Sequence, residues 1–255
     1  MLVCPSGADV SSSALRLLSA KLRQRRRELG TRWWRLSPGR QALLALAHLR
    51  NGHPYAQLAA GFGIGTTTAY RYVTEAVELL AALAPALAEA ARTASTKAFV
   101  LLDGTLLPID RIAADRPFSS GRHKKHGRNV QILAGPSGRL LWASSALPGA
   151  VHDVWAAREH GIIAVLAEAG VPCWADKGYR GAGSTVRIPY RGRWETLSRG
   201  QKAVNRSHAE IRALVEQAVA TLKSWRLLRK LRCSTTRVTN LVRAVLALHL
   251  ASSGR

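Results

Sequence analysis

Apolar positions change period partway along the chain, and that change divides it. Ala14 to Glu28, ALRLLSAKLRQRRRE, is apolar only in its first half and continues as the charge run Lys21 to Arg27, so the pattern predicts a helix ending in a solvated basic stretch. Ser37 and Pro38 read as the cap and first residue of a second helix, RQALLALAHLR, stopped at Asn51-Gly52. PYAQLAAGF begins a third at Pro54, broken by Gly61, Gly63 and Gly65, and TTTAYRYVTEAVELLAALA starts a fourth at the Thr66 to Thr68 cluster. Pro85 to Lys97 reads as a boundary. Beyond it AFVLLD, NVQILAG and RLLWASSALPG have strand length, Val154 to Ala169 is helical, and VPCWADKGY is a strand ending in Asp176. Asn205 to Arg232 closes the pattern as one helix whose stripe is Ile211, Leu214, Val215, Ala218, Leu222 and Trp225, with Arg212, Glu216 and Lys223 on another side. Three strands, a helix, a strand and a late helix make an α/β domain behind an all-α one.

Helix, glycine-containing turn and helix, with Leu58, Ala59, Ile64 and Val73 placed to pack together, is the pattern of a helix-turn-helix; the bland alternative is a plain three-helix bundle. In the first reading the second helix presents Thr66, Thr67, Thr68, Tyr70 and Arg71 to a major groove. Charge favours that reading. Lys and Arg number 38 against 15 Asp and Glu, a net +23, and they spread through a chain that is 47% hydrophobic, so the expected partner is a nucleic acid rather than a membrane surface. A GC-rich genome also raises Arg content, so the count alone does not identify the partner. Trp33 and Trp34, beside Arg32 and Arg35, read as packed against a helix rather than stacked on bases. Cys4, Cys173 and Cys233 suggest neither a disulfide framework nor a zinc site, which points to a reducing compartment. With no signal-peptide order at the start and no apolar run long enough to span a bilayer, the expected location is cytoplasmic, in association with the nucleoid.

Acids are few, so their positions carry information. Asp103 and Asp176 each end an apolar strand, where ligands bind in open α/β folds, although one such Asp alone is as readily a turn cap. If the late helix brings Glu216 over them, three like charges gather that only a cation makes favourable. Hard divalent ions suit that set, and two such ions can activate a nucleophile and stabilise the leaving oxygen at a phosphodiester. Arg212 and Lys223 then either hold phosphates or simply pair with Glu216. Two basic segments fit the same partner: Arg122, His123, Lys124, Lys125, His126 and Arg128, read as a loop between the first two strands, and Arg180, Arg187, Arg191, Arg193, Arg199 and Lys202, between the second acid and the late helix. Contacts of this kind give affinity without sequence readout, and solvated loops are the alternative.

LLDGT at Asp103, PGAVHD at Asp153, WADKGY at Asp176 and NRxxAxxRxxVExxxxxLK around Glu216 together resemble the insertion-sequence transposases with a DDE catalytic triad, in particular the bacterial group related to Harbinger transposases. The resemblance covers nearly the whole chain, because that group also carries an N-terminal helix-turn-helix. It implies a basic helical arm over 1–36, a helix-turn-helix domain over 37–92 and a ribonuclease-H-like catalytic domain over 98–250. It also implies catalytic Asp103, Asp176 and Glu216 holding Mg²⁺, with Mn²⁺ as a substitute, double-stranded DNA (terminal inverted repeats and target) as partner, and a homo-oligomer in the active complex. Asp153 competes for the role of second acid; the order of elements assigns that role to Asp176 and leaves Asp153 as helix N-cap and further metal-site residue. Where the group often has a Tyr three residues before the Arg of its signature, this chain has Ala209, a departure that touches auxiliary phosphate contacts. The alternatives are a DNA-binding protein without catalysis, either a regulator or a decayed or domesticated transposase, and a nuclease lacking strand transfer.

Overall fold

The computed structural model describes residues 11–30, 32–109, 116–121 and 125–253, which fall into two compact units. The described residues up to 84, with 223–230 and 240–253, form a helical unit; residues 85–222 and 231–239 form an α/β unit. Near its end the chain returns to the helical unit twice, at 223–230 and from 240 onward.

Helices α1 (Ser12–Leu29), α2 (Pro38–Asn51), α3 (Tyr55–Phe62) and α4 (Thr66–Ala81) begin where local chemistry starts them. The Ser11 and Ser37 hydroxyls accept from the backbone N–H groups of Ala14 and Arg40. Leu18 and Leu22 of α1, Leu44 and Leu49 of α2, and Val73, Ala76 and Leu80 of α4 recur at helical spacing and are buried together. The basic end of α1 is not wholly solvated. Arg26 lies 4.4 Å over the Trp34 ring and donates to the Leu36 carbonyl and Gln41 Oε1, so Trp34 is packed while Trp33 is exposed.

In the α/β unit, residues expected to be a boundary form α5 (Leu87–Ser95), started by the Glu89 carboxylate accepting from the Ala86 N–H. Strands follow at β1 (Val100–Pro108), β2 (Ser119–Ser120), β3 (Lys125–Ala134), β4 (Leu140–Ala143) and β5 (Leu147–Pro148). The helix predicted over Val154 to Ala169 is two short ones, α6 (Asp153–Glu159) and α7 (Ile162–Glu168), separated at Gly161. Then come β6 (Cys173–Ala175), β7 (Val186–Arg187), α8 (Arg199–Lys223) and α9 (Thr235–Ser253). The mixed sheet runs β2-β3-β1-β6-β7, with β1 antiparallel to β3 and parallel to β6, while β4 and β5 pair with β3.

Alternation sends Val100, Leu102, Leu133, Cys173 and Ala175 to one face, where they pack with Ala90 and Ala94 of α5, Ala157 of α6, and Ile162 and Leu166 of α7. Trp174 turns to the opposite face and meets His208 of α8 edge-on at 5.1 Å; His208 Nε2 donates to the Arg187 carbonyl at 3.2 Å. Helix α8 thus spans the ends of β6 and β7. It starts earlier than predicted because Ser198 and Gln201 cap each other reciprocally, and it stops at Lys223, short of Arg232, because Trp225 leaves helical geometry and buries itself with Leu228 in the helical unit.

Gly138, in the β3–β4 turn at φ 72°, fixes how closely α8 approaches, because a Cβ there would lie 2.6 Å from the Leu214 carbonyl oxygen. Gly138→Ala is expected to cost about 1–3 kcal/mol and to speed amide exchange in α8 selectively. Hydrogen exchange no faster in α8 than in β3 would show that the turn does not hold the helix.

Candidate active site

Strand register places the acids. The last β1–β6 pair is Leu102 with Ala175, so Asp103 and Asp176 follow in step at the ends of adjacent parallel strands. Since Leu102 and Ala175 face the α5–α7 core, alternation turns both acids toward the α8 side. Asp103 is half-buried, and its Oδ1 accepts from the Gly104 N–H at 3.0 Å. Asp176 is buried; its Oδ1 accepts from the Gly178 N–H at 2.7 Å, and its Oδ2 lies 3.9 Å from Arg212 of α8.

A third acid comes from the opposite face. Asp153 was expected to cap α6, but it is the first helical residue, and the capping position belongs to His152. Its side chain turns inward, where Oδ1 accepts from Asn129 Nδ2 at 2.9 Å and Gln131 Nε2 at 3.3 Å. Gln131 also donates to Asn129 Oδ1 at 2.7 Å and accepts from the Tyr179 hydroxyl. Tyr179 is fully buried three residues after Asp176. Burial first, then the charges of Asp153, Asp103 and Asp176, push its pKa well up, so it remains a neutral donor. This chain of bonds from Tyr179 through Gln131 and Asn129 sets the position of one Asp153 oxygen. Gly104, opposite Gln131 in the β1–β3 register, leaves the space that Asp153 fills: a Cβ there would lie 2.6 Å from Asp153 Cγ and 2.8 Å from Gln131 Nε2. Tyr179→Phe leaves the buried Gln131 oxygen without its donor and is expected to lower stability by about 1–3 kcal/mol, measured by chemical denaturation. An unchanged midpoint would mean the hydroxyl contributes nothing.

Burial raises the Asp103 carboxyl to about 6; the Asp176 charge adds to this, Arg212 opposes it and Asp153 adds further. Among the described residues no three acidic, His or Cys side chains are gathered closely enough to form a ready cage for a metal ion. The pair Asp103 and Asp176 nevertheless fits a hard divalent cation, since Mg²⁺ takes one or two protein carboxylates and completes its shell with water and phosphate oxygens. A cation there would offset the burial cost of the charged Asp103 carboxylate and its repulsion by Asp176.

Glu216 is exposed on α8, one turn or about 6 Å along the axis from Arg212 and on the same side of the helix. Among the acids, Asp176 and Asp153 are the charges that act on Asp103. Lys223 ends α8, about 16 Å further along from Arg212, and is half-buried. Lys124, with Arg122 and His123, lies outside the described residues. Lys125 is exposed at the start of β3. Arg128, expected in a loop, sits within β3 and is buried. Its guanidinium lies 4.6 Å over the Phe118 ring and donates to Thr235 and to the Cys233 carbonyl, so it does not face solvent. In the helical unit Thr66, Thr67, Tyr70 and Arg71 are exposed on the first turns of α4 and Thr68 is half-buried. Asn129, Gln131, Tyr179 and Gly104 escaped the sequence reading; the signal for them is polar residues inside apolar strands (NVQ) and a Gly beside a strand-end acid.

Comparison with known proteins gives two family matches. Residues 102–249 match the family of DDE superfamily endonucleases, and residues 34–86 match the helix-turn-helix of DDE superfamily endonucleases. The chain is 31% identical over 232 residues, covering 87% of its length and 83% of the relative, to the "Putative transposase for insertion sequence element IS112" of Streptomyces albus G. No solved structure matches it. No described helix is long and apolar enough to cross a membrane.

Proposed function

The chain belongs to the DDE superfamily endonucleases, a transposase family with a helix-turn-helix, and from that membership we propose that it binds the ends of its element and catalyses metal-dependent cleavage and strand transfer. The observation that carries this reading is the alignment of Asp103 and Asp176 at adjacent strand ends, with Arg212 of α8 against them. The mixed sheet with α8 across its acid-bearing ends supports a ribonuclease-H-like arrangement. Asp103, Asp176 and Glu216 would hold Mg²⁺, or Mn²⁺ in its place, with Asp153 as a further acid of the metal site. When bound, such a cation would supply activation of an attacking water or 3′-hydroxyl and stabilisation of the leaving oxygen. Asp103, deprotonated, supplies charge to that site. Arg212, 3.9 Å from Asp176, would offer its guanidinium to the phosphate undergoing attack. Asn129, Gln131 and Tyr179 keep Asp153 from rotating. Thr66, Thr67, Thr68, Tyr70 and Arg71 would contact the terminal repeats in the major groove, with Lys124, Lys125 and Lys223 as further phosphate contacts. Oligomers of the chain would pair two ends.

The test is incubation with Mg²⁺ or Mn²⁺ and a duplex carrying the element's terminal repeats, followed by separation of nicked from joined strands. Nicked and joined products are expected from the parent. Nicks without joined products would reduce the protein to a nuclease, and cleavage persisting undiminished in Asp103→Asn or Glu216→Gln would remove the mechanism.

A further inference from the structure

The segment between Asp176 and α8 folds four cations around one open cleft. Lys177 and Arg180 flank the short turn that follows Asp176, and Arg191 and Arg193 come from the loop preceding Trp194, on either side of Gly192. All four are exposed, and among the described residues none of them forms an ion pair. Glu195, the nearest acid in sequence to the two arginines, does not line the cleft.

Four like charges brought together make a region of positive potential that attracts a polyanion. Two arginines suit phosphate oxygens, because each presents a planar fork of N–H donors. The cleft also begins one residue from Asp176, an acid proposed to hold the cation at the scissile phosphate. A DNA strand carries a phosphate about every 3.4 Å along the duplex axis, so a strand seated at Asp103 and Asp176 has further phosphates within a few steps on either side. We propose that this cleft binds the backbone phosphates of the DNA strand immediately flanking the scissile bond, and that it does so without reading sequence. The inference rests on the transposase reading for the strand's identity, but the cleft's affinity for a polyanionic backbone does not depend on chemistry occurring at the acids.

The experiment uses the full chain and the double variant Arg191→Gln, Arg193→Gln, which leaves Lys177 beside Asp176 untouched. Binding to a terminal-repeat duplex is measured across a NaCl series without divalent metal. Losing two phosphate contacts should lower the slope of log affinity against log salt by about 1.8 and weaken binding at least tenfold at low salt, with unchanged circular dichroism. Methylphosphonates at the linkages beside the scissile bond should weaken the parent by a similar factor and add little in the double variant. An unchanged slope, or methylphosphonates that weaken both proteins equally, overturns the proposal. So does orthophosphate displacing DNA from the parent far better than sulfate at equal ionic strength, because that marks a site for a free phosphate. A parent that never cleaves but shows the slope change refutes the catalytic reading and leaves the cleft standing; normal cleavage with an unchanged slope refutes the cleft alone.

Discussion

Asp103→Asn is expected to abolish strand cleavage, by about a thousandfold or more, while making the metal-free protein more stable. The loss of rate follows from removing one of the carboxylates proposed to hold the cation, since such an ion supplies several kcal/mol at the transition state and each 1.36 kcal/mol is tenfold. The gain in stability follows from charge. Asp103 is held at about 6, above its ordinary 3.8, so the folded protein binds that proton more tightly than the unfolded chain does. The associated stability is fully present below about pH 3.8 and is lost as pH rises through about 6. At pH 8 the ionised carboxylate therefore costs the parent about 3 kcal/mol, which Asn does not. In EDTA the variant should melt several degrees higher at pH 8, with the gap closing toward pH 4. Equal melting temperatures at pH 8 would show that Asp103 carries no charge penalty. Mg²⁺ should raise the parent's melting temperature and leave the variant's almost unchanged.

The second large effect belongs to a residue with no side chain. In Gly104→Ala the new methyl group enters the space held by Asp153, and β1 is restrained there by its ladder to β3, in which Gly104 lies opposite Gln131. Asp153 must therefore swing away and lose its bonds to Asn129 and Gln131. A displacement of about 1 Å in a catalytic group costs on the order of a hundredfold in rate, and overpacking adds about 1–3 kcal/mol of destabilisation. Cleavage at the parent's rate in a folded Gly104→Ala protein would show that Asp153 plays no part in the site.

These two residues also show where sequence reading succeeds and where it stops. Asp103 and Asp176 were legible because each ends a short apolar run, a local signal that strand pairing then turns into adjacency. The helix-turn-helix was legible for the same reason, its caps and apolar spacing all lying within the segment. Asp153 looked like a helix cap because its local context is that of one; its actual partners depend on Gly104 lying opposite Gln131, which no neighbouring residue encodes. Arg128 was indistinguishable from the basic residues around it until β3 was seen to start at Lys125. Trp225 fits the stripe of α8 at helical spacing, so the end of that helix at Lys223 reflects tertiary packing overriding period. Helix α9 is buried nearly all round over residues 241–248, and only contacts assign residues 240–253 to the helical unit.

The central claim is that Asp103 and Asp176 together hold the divalent cation. Mn²⁺ binding followed by electron paramagnetic resonance, on the full chain bound to a terminal-repeat duplex at pH 8, tests it most directly. The account predicts that the parent takes up Mn²⁺ and that Asp103→Asn and Asp176→Asn each weaken this uptake by at least tenfold while retaining DNA. Uptake of Mn²⁺ by both variants with the parent's affinity would contradict it.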